Sequence, residues 1–240
     1  MRSMLAAAAL LVLTGLVLPA ASVAPASAAA AGKCTATNGK TCTYGHWDVY
    51  NNTWGTNPGT YVITAWSARH WKVTADQEDN AGAVEAYESA QWNYNNVPYS
   101  RIREMTSTFS ETMPTGSQQR NNFDAEANYD VFLRGPGTDE VMVWVDTQGQ
   151  TPAGRRGPVV KIAGQRFRLW RAGVTKTFVL NHNETTGTVN YKAVFTWLHD
   201  HGMLRSSDKV WQLNFGWEIC DTGGKTRTFT VHDLTLKQKL

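Results

Sequence analysis

Apolar and polar positions in this chain alternate far more often than they recur at helical spacing. Between residues 140 and 146, Val141, Val143 and Val145 fall on one face of an extended chain, and Glu140, Met142, Trp144 and Asp146 fall on the other. Similar runs read as strands at Trp47–Trp54, Tyr61–Val73, Ser107–Thr112, Ala127–Leu133, Val159–Ile162, Gln165–Arg171, Thr175–Leu180, Val210–Cys220 and Thr226–Thr235. Asn57-Pro58-Gly59, Gly135-Pro136-Gly137, Ala163-Gly164 and Gly223-Gly224 punctuate them as turns. Many short strands at hairpin spacing predict an all-β sandwich of antiparallel sheets. One segment departs from this period. Val194, Trp197, Leu198 and His201 recur at helical spacing and Gly202 follows, which predicts one helix from Asn190 to His201 on the convex side of the sandwich. The acidic stretch Ala75–Ala90 is weakly patterned and reads as a long loop leading into Trp92-Asn93-Tyr94.

The N-terminal segment has a different pattern. Arg2 precedes an apolar run, Met4–Leu18, and Pro19 and a small-residue tract ending in Ala26-Ser27-Ala28 follow it. This is the pattern of a secretory signal peptide covering residues 1–31, so an extracellular protein is expected. No later run approaches the ~20 apolar residues that span a bilayer. Residues 32–240 are expected to form a single domain, and the mature form is expected to be a monomer away from membranes. Export permits disulfides; Cys34 and Cys42 are expected to pair, leaving Cys220 over. The chain has 23 Lys and Arg, one of them Arg2 in the leader, against 20 Asp and Glu. A net charge this small gives no reason to expect a nucleic acid as partner. Ten Trp in a chain of this length point instead to carbohydrate, whose C–H faces stack on aromatic rings.

Alternation also sorts the acidic residues. Phe215, Trp217 and Ile219 share a core-like face, while Asn214, Gly216, Glu218 and Cys220 share the other. Glu218 therefore projects away from its apolar neighbours, and Gly216 is expected to leave room beside it. The row Glu140, Met142, Trp144, Asp146 reads as the floor of a groove. A short turn near Pro136 pairs the Ala127–Leu133 strand with the 140–146 strand and sets Asp130 opposite Met142, a diagonal step from Glu140. Two glutamates on one groove, with an aspartate beside one of them, suit retaining glycoside hydrolysis. There one carboxylate attacks the anomeric carbon, and the other protonates the leaving oxygen and then activates water.

These residues resemble glycoside hydrolase family 12, secreted endo-β-1,4-glucanases and xyloglucanases with a β-jelly-roll fold. Trp47-Asp48-Val49-Tyr50-Asn51-Asn52-Thr53-Trp54-Gly55 is similar to the family's opening Y-x-V-x-N-N-x-W-G. Tyr129-Asp130-Val131-Phe132 is similar to its Y-D-x-F strand, and Glu140-Val141-Met142-Val143-Trp144 to E-L-M-I-W. Thr151-Pro152-Ala153-Gly154 matches its P-I-G loop beside the cleft, and Phe215-Gly216-Trp217-Glu218 its F-G-x-E. The resemblance implies a concave cleft for a β-glucan polysaccharide, Glu140 as nucleophile, Glu218 as acid/base and Asp130 as the nucleophile's partner. It further implies that Asn52 and Trp54 line one side of the cleft, Met142 and Trp144 its floor, and Pro152 its border. The mechanism requires no cofactor and no metal. The chain differs from the family pattern at Asp139, which stands where an aromatic is usual and either perturbs Glu140 or faces solvent. Cys42 also precedes the N-N-x-W-G segment rather than following it. A non-catalytic glucan-binding jelly roll is the alternative; it needs the aromatic cleft but not both glutamates.

Overall fold

A computed structural model of the chain describes residues 32–77, 83–114, 123–135 and 138–240. The leader expected at 1–31, and Pro136 and Gly137 of the predicted hairpin turn, lie outside them. In chain order the strands are β1 (Cys34–Thr37), β2 (Thr41–Tyr44), β3 (Trp47–Thr53), β4 (Thr60–Ser67), β5 (His70–Asp76), β6 (Ala86–Pro98), β7 (Glu104–Thr112) and β8 (Asp124–Arg134). There follow β9 (Glu140–Gln148), β10 (Arg155–Ile162), β11 (Gln165–Ala172), β12 (Thr175–Leu180) and β13 (Thr186–Asn190). A helix, α1 (Tyr191–Asp200), then leads to β14 (Lys209–Asp221) and β15 (Arg227–Lys239).

Two sheets pack face to face. The smaller has the order β1-β4-β5-β15-β7-β13, and the larger β10-β11-β12-β9-β8-β14-β6-β3-β2. Their inner faces carry the alternating apolar residues. Val141, Val143, Val145, Phe215, Trp217 and Ile219 are all buried, as the pattern predicts. Aromatic rings fill the space between the layers: Trp71 of β5 meets Trp217 edge-on at 5.2 Å, and Tyr129 lies 4.5 Å from Phe215. The Cys34–Cys42 disulfide forms as expected and ties β1 in one sheet to β2 in the other.

The helix also forms where predicted. Asn190 caps it by accepting the Ala193 N–H, and Gly202 at φ +70° ends it, with its own N–H bonded to the His199 carbonyl. Trp197 packs edge-on against Phe178 of β12, and Tyr191 against Tyr129 of β8. These are core-side residues of the larger sheet, so α1 lies on the side away from the cleft face.

Several expectations are corrected. The larger sheet is not wholly antiparallel, because β12 runs parallel to β9 and sets Thr175 beside Glu140. The run Tyr61–Val73 is a hairpin, with β4 and β5 joined at Ala68-Arg69. Residues Ala86–Ala90 are not loop but the start of β6, a strand between β14 and β3. Its inward positions there are Ala86, Glu88 and Ala90, small or acidic residues that hide the apolar period.

Candidate active site

The cleft face of the larger sheet is a grid of rows fixed by register. One row runs Asn52, Tyr87, Glu218, Glu126, Thr147 across β3, β6, β14, β8 and β9. A parallel row runs Gln212, Phe132, Glu140, Thr175 across β14, β8, β9 and β12. On β8, Glu126 and Phe132 stand six positions apart. In a flat sheet that offset alone would hold the two glutamates ~20 Å apart. Yet Glu140 and Glu218 line a single cavity of about 270 Å³, and the Glu140 charge acts on Glu218. Their side chains therefore reach into one space across that offset. Register irregularities at Ala127/Asn128, Val210/Gln212 and Ile219/Asp221 fall on the three strands involved, and bulges of this kind increase local twist and bend a strand.

Each glutamate is held by identifiable neighbours. The Thr175 hydroxyl donates to Glu140 Oε2 at 2.6 Å. Asp130 sits opposite Met142, as the hairpin reasoning predicts, is 2% exposed, and hydrogen-bonds Glu140 with its carboxyl. Burial first, and then the charges of Glu140 and Glu218, push the Asp130 carboxyl well above the usual carboxylate range. It is the more deeply buried of the two, so it is the one that loses most by ionising. Glu218 is raised by burial and by Glu140, while a hydrogen bond from Glu126 works in the opposite direction.

Met142 and Trp144 line the same cavity with Val84, Gln150, Thr151 and Thr177. Pro152 is itself buried, and its neighbours Thr151 and Ala153 form the rim. Gly154 closes that loop at φ +87°, where a Cβ would lie 2.3 Å from the Arg171 carbonyl oxygen. Asn52 stands in the Glu218 row two strands away. Trp54 follows the end of β3, 43% exposed, with its N–H on the Glu85 carbonyl. Neither lines the cavity that holds the two glutamates.

Two expectations fail at this site, and one open alternative is decided. Asp146 does not continue the floor: the bulge places it opposite Ala127, and its charge acts on Glu111 of β7 in the other sheet. Gly216 does not leave room for a ligand. A Cβ there would lie 1.8 Å from the Glu88 carbonyl oxygen, so this glycine serves the close approach of β6. Of the two alternatives for Asp139, the structure shows the solvent-facing one: the residue is exposed, beside Arg134 and Trp211.

Glu126, Thr175 and Gln150 belong to the site but escape the sequence reading. The Asp-Ala-Glu-Ala-Asn run around Glu126 lacks an apolar alternation, and Thr175 gains its role only from the parallel pairing. Gln150 lies on the loop after β9 and donates through Nε2 to the buried Cys220 thiol at 2.8 Å. Burial pushes that thiol well above its ordinary range, so it stays protonated and unreactive. His70 packs against Trp66 on the smaller sheet, away from the site. Among the described residues, no cluster of His, Cys, Asp and Glu has the arrangement of a metal site.

No protein-family sequence model matches the chain, and no curated protein is similar to it in sequence. Solved structures are similar to it over most of its length. A metagenome-derived family 12 endoglucanase superposes with a TM-score of 0.77 at 17% identity, covering 87% of this chain and 98% of its own. The family 12 endoglucanase 3 of Trichoderma harzianum does so with a TM-score of 0.74 at 24% identity, over 88% of this chain and 100% of its own. The xyloglucanase domain of NopAA from Sinorhizobium fredii, solved with cellobiose, gives 0.75 at 19% identity, over 86% and 99%. The chain has the β-jelly-roll fold of the family 12 glycoside hydrolases.

Proposed function

We propose that the protein is a secreted, retaining, endo-acting glycoside hydrolase that cleaves β-1,4 bonds in cellulose-like glucan, mixed-linkage glucan or xyloglucan. The observation that carries this reading is the shared cavity of Glu140 and Glu218, in which the two carboxyls have different surroundings. Divergent environments are what assign acid and base roles to paired carboxyls. Glu140, which accepts the Thr175 hydroxyl and has the Asp130 carboxyl against it, is placed to attack the anomeric carbon. Glu218, raised by burial and by the Glu140 charge, is suited to hold a proton and deliver it to the departing glycosidic oxygen. In the second step the ionised Glu218 takes a proton from water. That water then displaces Glu140 from the sugar, and the starting anomeric configuration is restored. The jelly-roll relatives, named as endoglucanases and xyloglucanases, support the substrate class. The apolar leader supports secretion.

The test is a polysaccharide panel (carboxymethylcellulose, lichenan, xyloglucan and xylan) read by reducing-sugar release. Wild type should hydrolyse at least one β-glucan. Glu140→Gln and Glu218→Gln should each lose at least about 100-fold in kcat with unchanged melting temperature. Proton NMR should show a β-configured first product. Binding of cellohexaose without turnover at any pH would favour a sugar-binding jelly roll instead, and an α product would exclude retention.

A further inference from the structure

Glu126 is the one carboxyl at the site that no family motif accounts for. It stands directly opposite Glu218 in the β8–β14 register and is fully buried. Its Oε1 accepts the Asn128 amide at 3.2 Å. Its Oε2 is buried with no hydrogen-bond partner, and the Glu218 carboxyl faces the residue from the neighbouring strand. On β14 there are Glu218 and, a diagonal step away, Cys220, whose sulfur already accepts from Gln150. On β9 the opposite residue is Thr147. Beyond Glu218 on β6 is Tyr87, whose hydroxyl donates to the Asn128 carbonyl. Asp124 and Asn128 flank it on its face of β8, with Asp130 two positions further on. None of these is a cation.

We propose that Glu126 is a positioning residue for Glu218: it stays neutral and donates its O–H to the Glu218 carboxylate. The inference rests on the acid/base role given to Glu218. Two carboxyls facing each other across adjacent strands cannot both ionise without strong repulsion, and an unpaired buried charge is costly. Glu126 is fully buried and away from the cavity onto which Glu218 opens, so once Glu218 has given up its proton it is Glu126 that stays neutral. Glu126 does not line the cavity, so it does not meet the leaving group itself. Its effect is on Glu218. The donated bond favours the Glu218 carboxylate, which offsets burial and Glu140 and lets Glu218 release its proton and act as base in the second step.

The experiment uses full-length protein carrying 13C-labelled glutamate, with Glu126→Gln, which keeps a neutral N–H donor, and Glu126→Met, which has similar volume and no donor. Wild-type Glu126 Cδ should keep the shift of a protonated carboxyl through neutral pH. In Glu126→Met, the Glu218 titration midpoint should rise by about one unit, and the alkaline limb of kcat/KM should move with it. In that variant kcat should fall more than KM changes, and Glu126→Gln should restore at least about tenfold of it. An ionised Glu126 shift at neutral pH would overturn the proposal. So would equal displacement of the Glu218 midpoint by Gln and Met, or displacement by neither. If Glu126→Met fails to fold, the wild-type shift and the Gln variant still decide. If wild type cleaves no glucan, the NMR arm still decides, while the hydrolase reading fails separately.

Discussion

At the residue scale, the chemistry of this site is a matter of which carboxyl holds which proton. Glu218 feels the Glu140 charge, which raises its affinity for a proton. Removing that charge should reverse the effect: in Glu140→Gln the Glu218 midpoint should move down, measured by 13C NMR titration. An unchanged or raised midpoint would mean that the two carboxyls are not coupled. Glu140 in turn depends on the Thr175 hydroxyl. A hydrogen bond to a charged group contributes ~1.5–3 kcal/mol, so Thr175→Val, which keeps the volume and loses the donor, should lower kcat/KM by about tenfold or more. Retention of full activity in steady-state kinetics would show that this hydroxyl does not position the nucleophile.

At the scale of the element, β8 organises the site. It lies between β9 and β14 and presents Asp130 towards one glutamate and Glu126 towards the other, four positions apart on the same face. Half of this could be read in advance. The hairpin to β9 follows from a short turn and a strict alternation, and it places Asp130 opposite Met142 as observed. The other half could not, because strand alternation is read from apolar residues. Around Glu126 the chain alternates alanine with acids and an amide, a pattern that resembles loop. The same blindness concealed the start of β6, where Glu88 faces inward. It also hid the bulge that turns Asp146 aside, since a register shift is a property of two strands together. Gly216 illustrates the packing cost on β14. Gly216→Ala would drive a methyl into the β6 backbone, which can move only with its strand. Overpacking of this kind costs ~1–3 kcal/mol, so a fall in melting temperature should accompany any loss of activity. An unchanged melting temperature would show that β6 yields freely.

For the whole molecule, the buried acids make stability depend on pH in one direction. Burial, then Asp146, pushes Glu111 up to about 8, and Glu88, Glu126 and Asp130 are raised well above the usual range. Their folded forms bind protons more tightly than the unfolded chain does. Stability is therefore full below the ordinary glutamate value and declines as pH rises through the folded one. For Glu111 that window runs from about 4.5 to about 8 and amounts to up to about 5 kcal/mol. The melting temperature of wild type should fall across this window, and Glu111→Gln should flatten the fall. A wild-type curve that rises with pH would contradict the buried neutral state of these groups.

The order of strands in the larger sheet also bears on how the molecule comes into being. β14, which carries Glu218, is inserted between β6 and β8, although it is made more than seventy residues after β8 ends. Until Lys209–Asp221 is available, both of those earlier strands have an open edge facing the same gap. Long-range pairing of this kind is slow, and unpaired edges invite association with other chains. The groove is therefore completed only by the strand of its sheet that comes last in the chain. A chain ending before residue 209 would lack not just Glu218 but the seam that joins the two halves of the sheet.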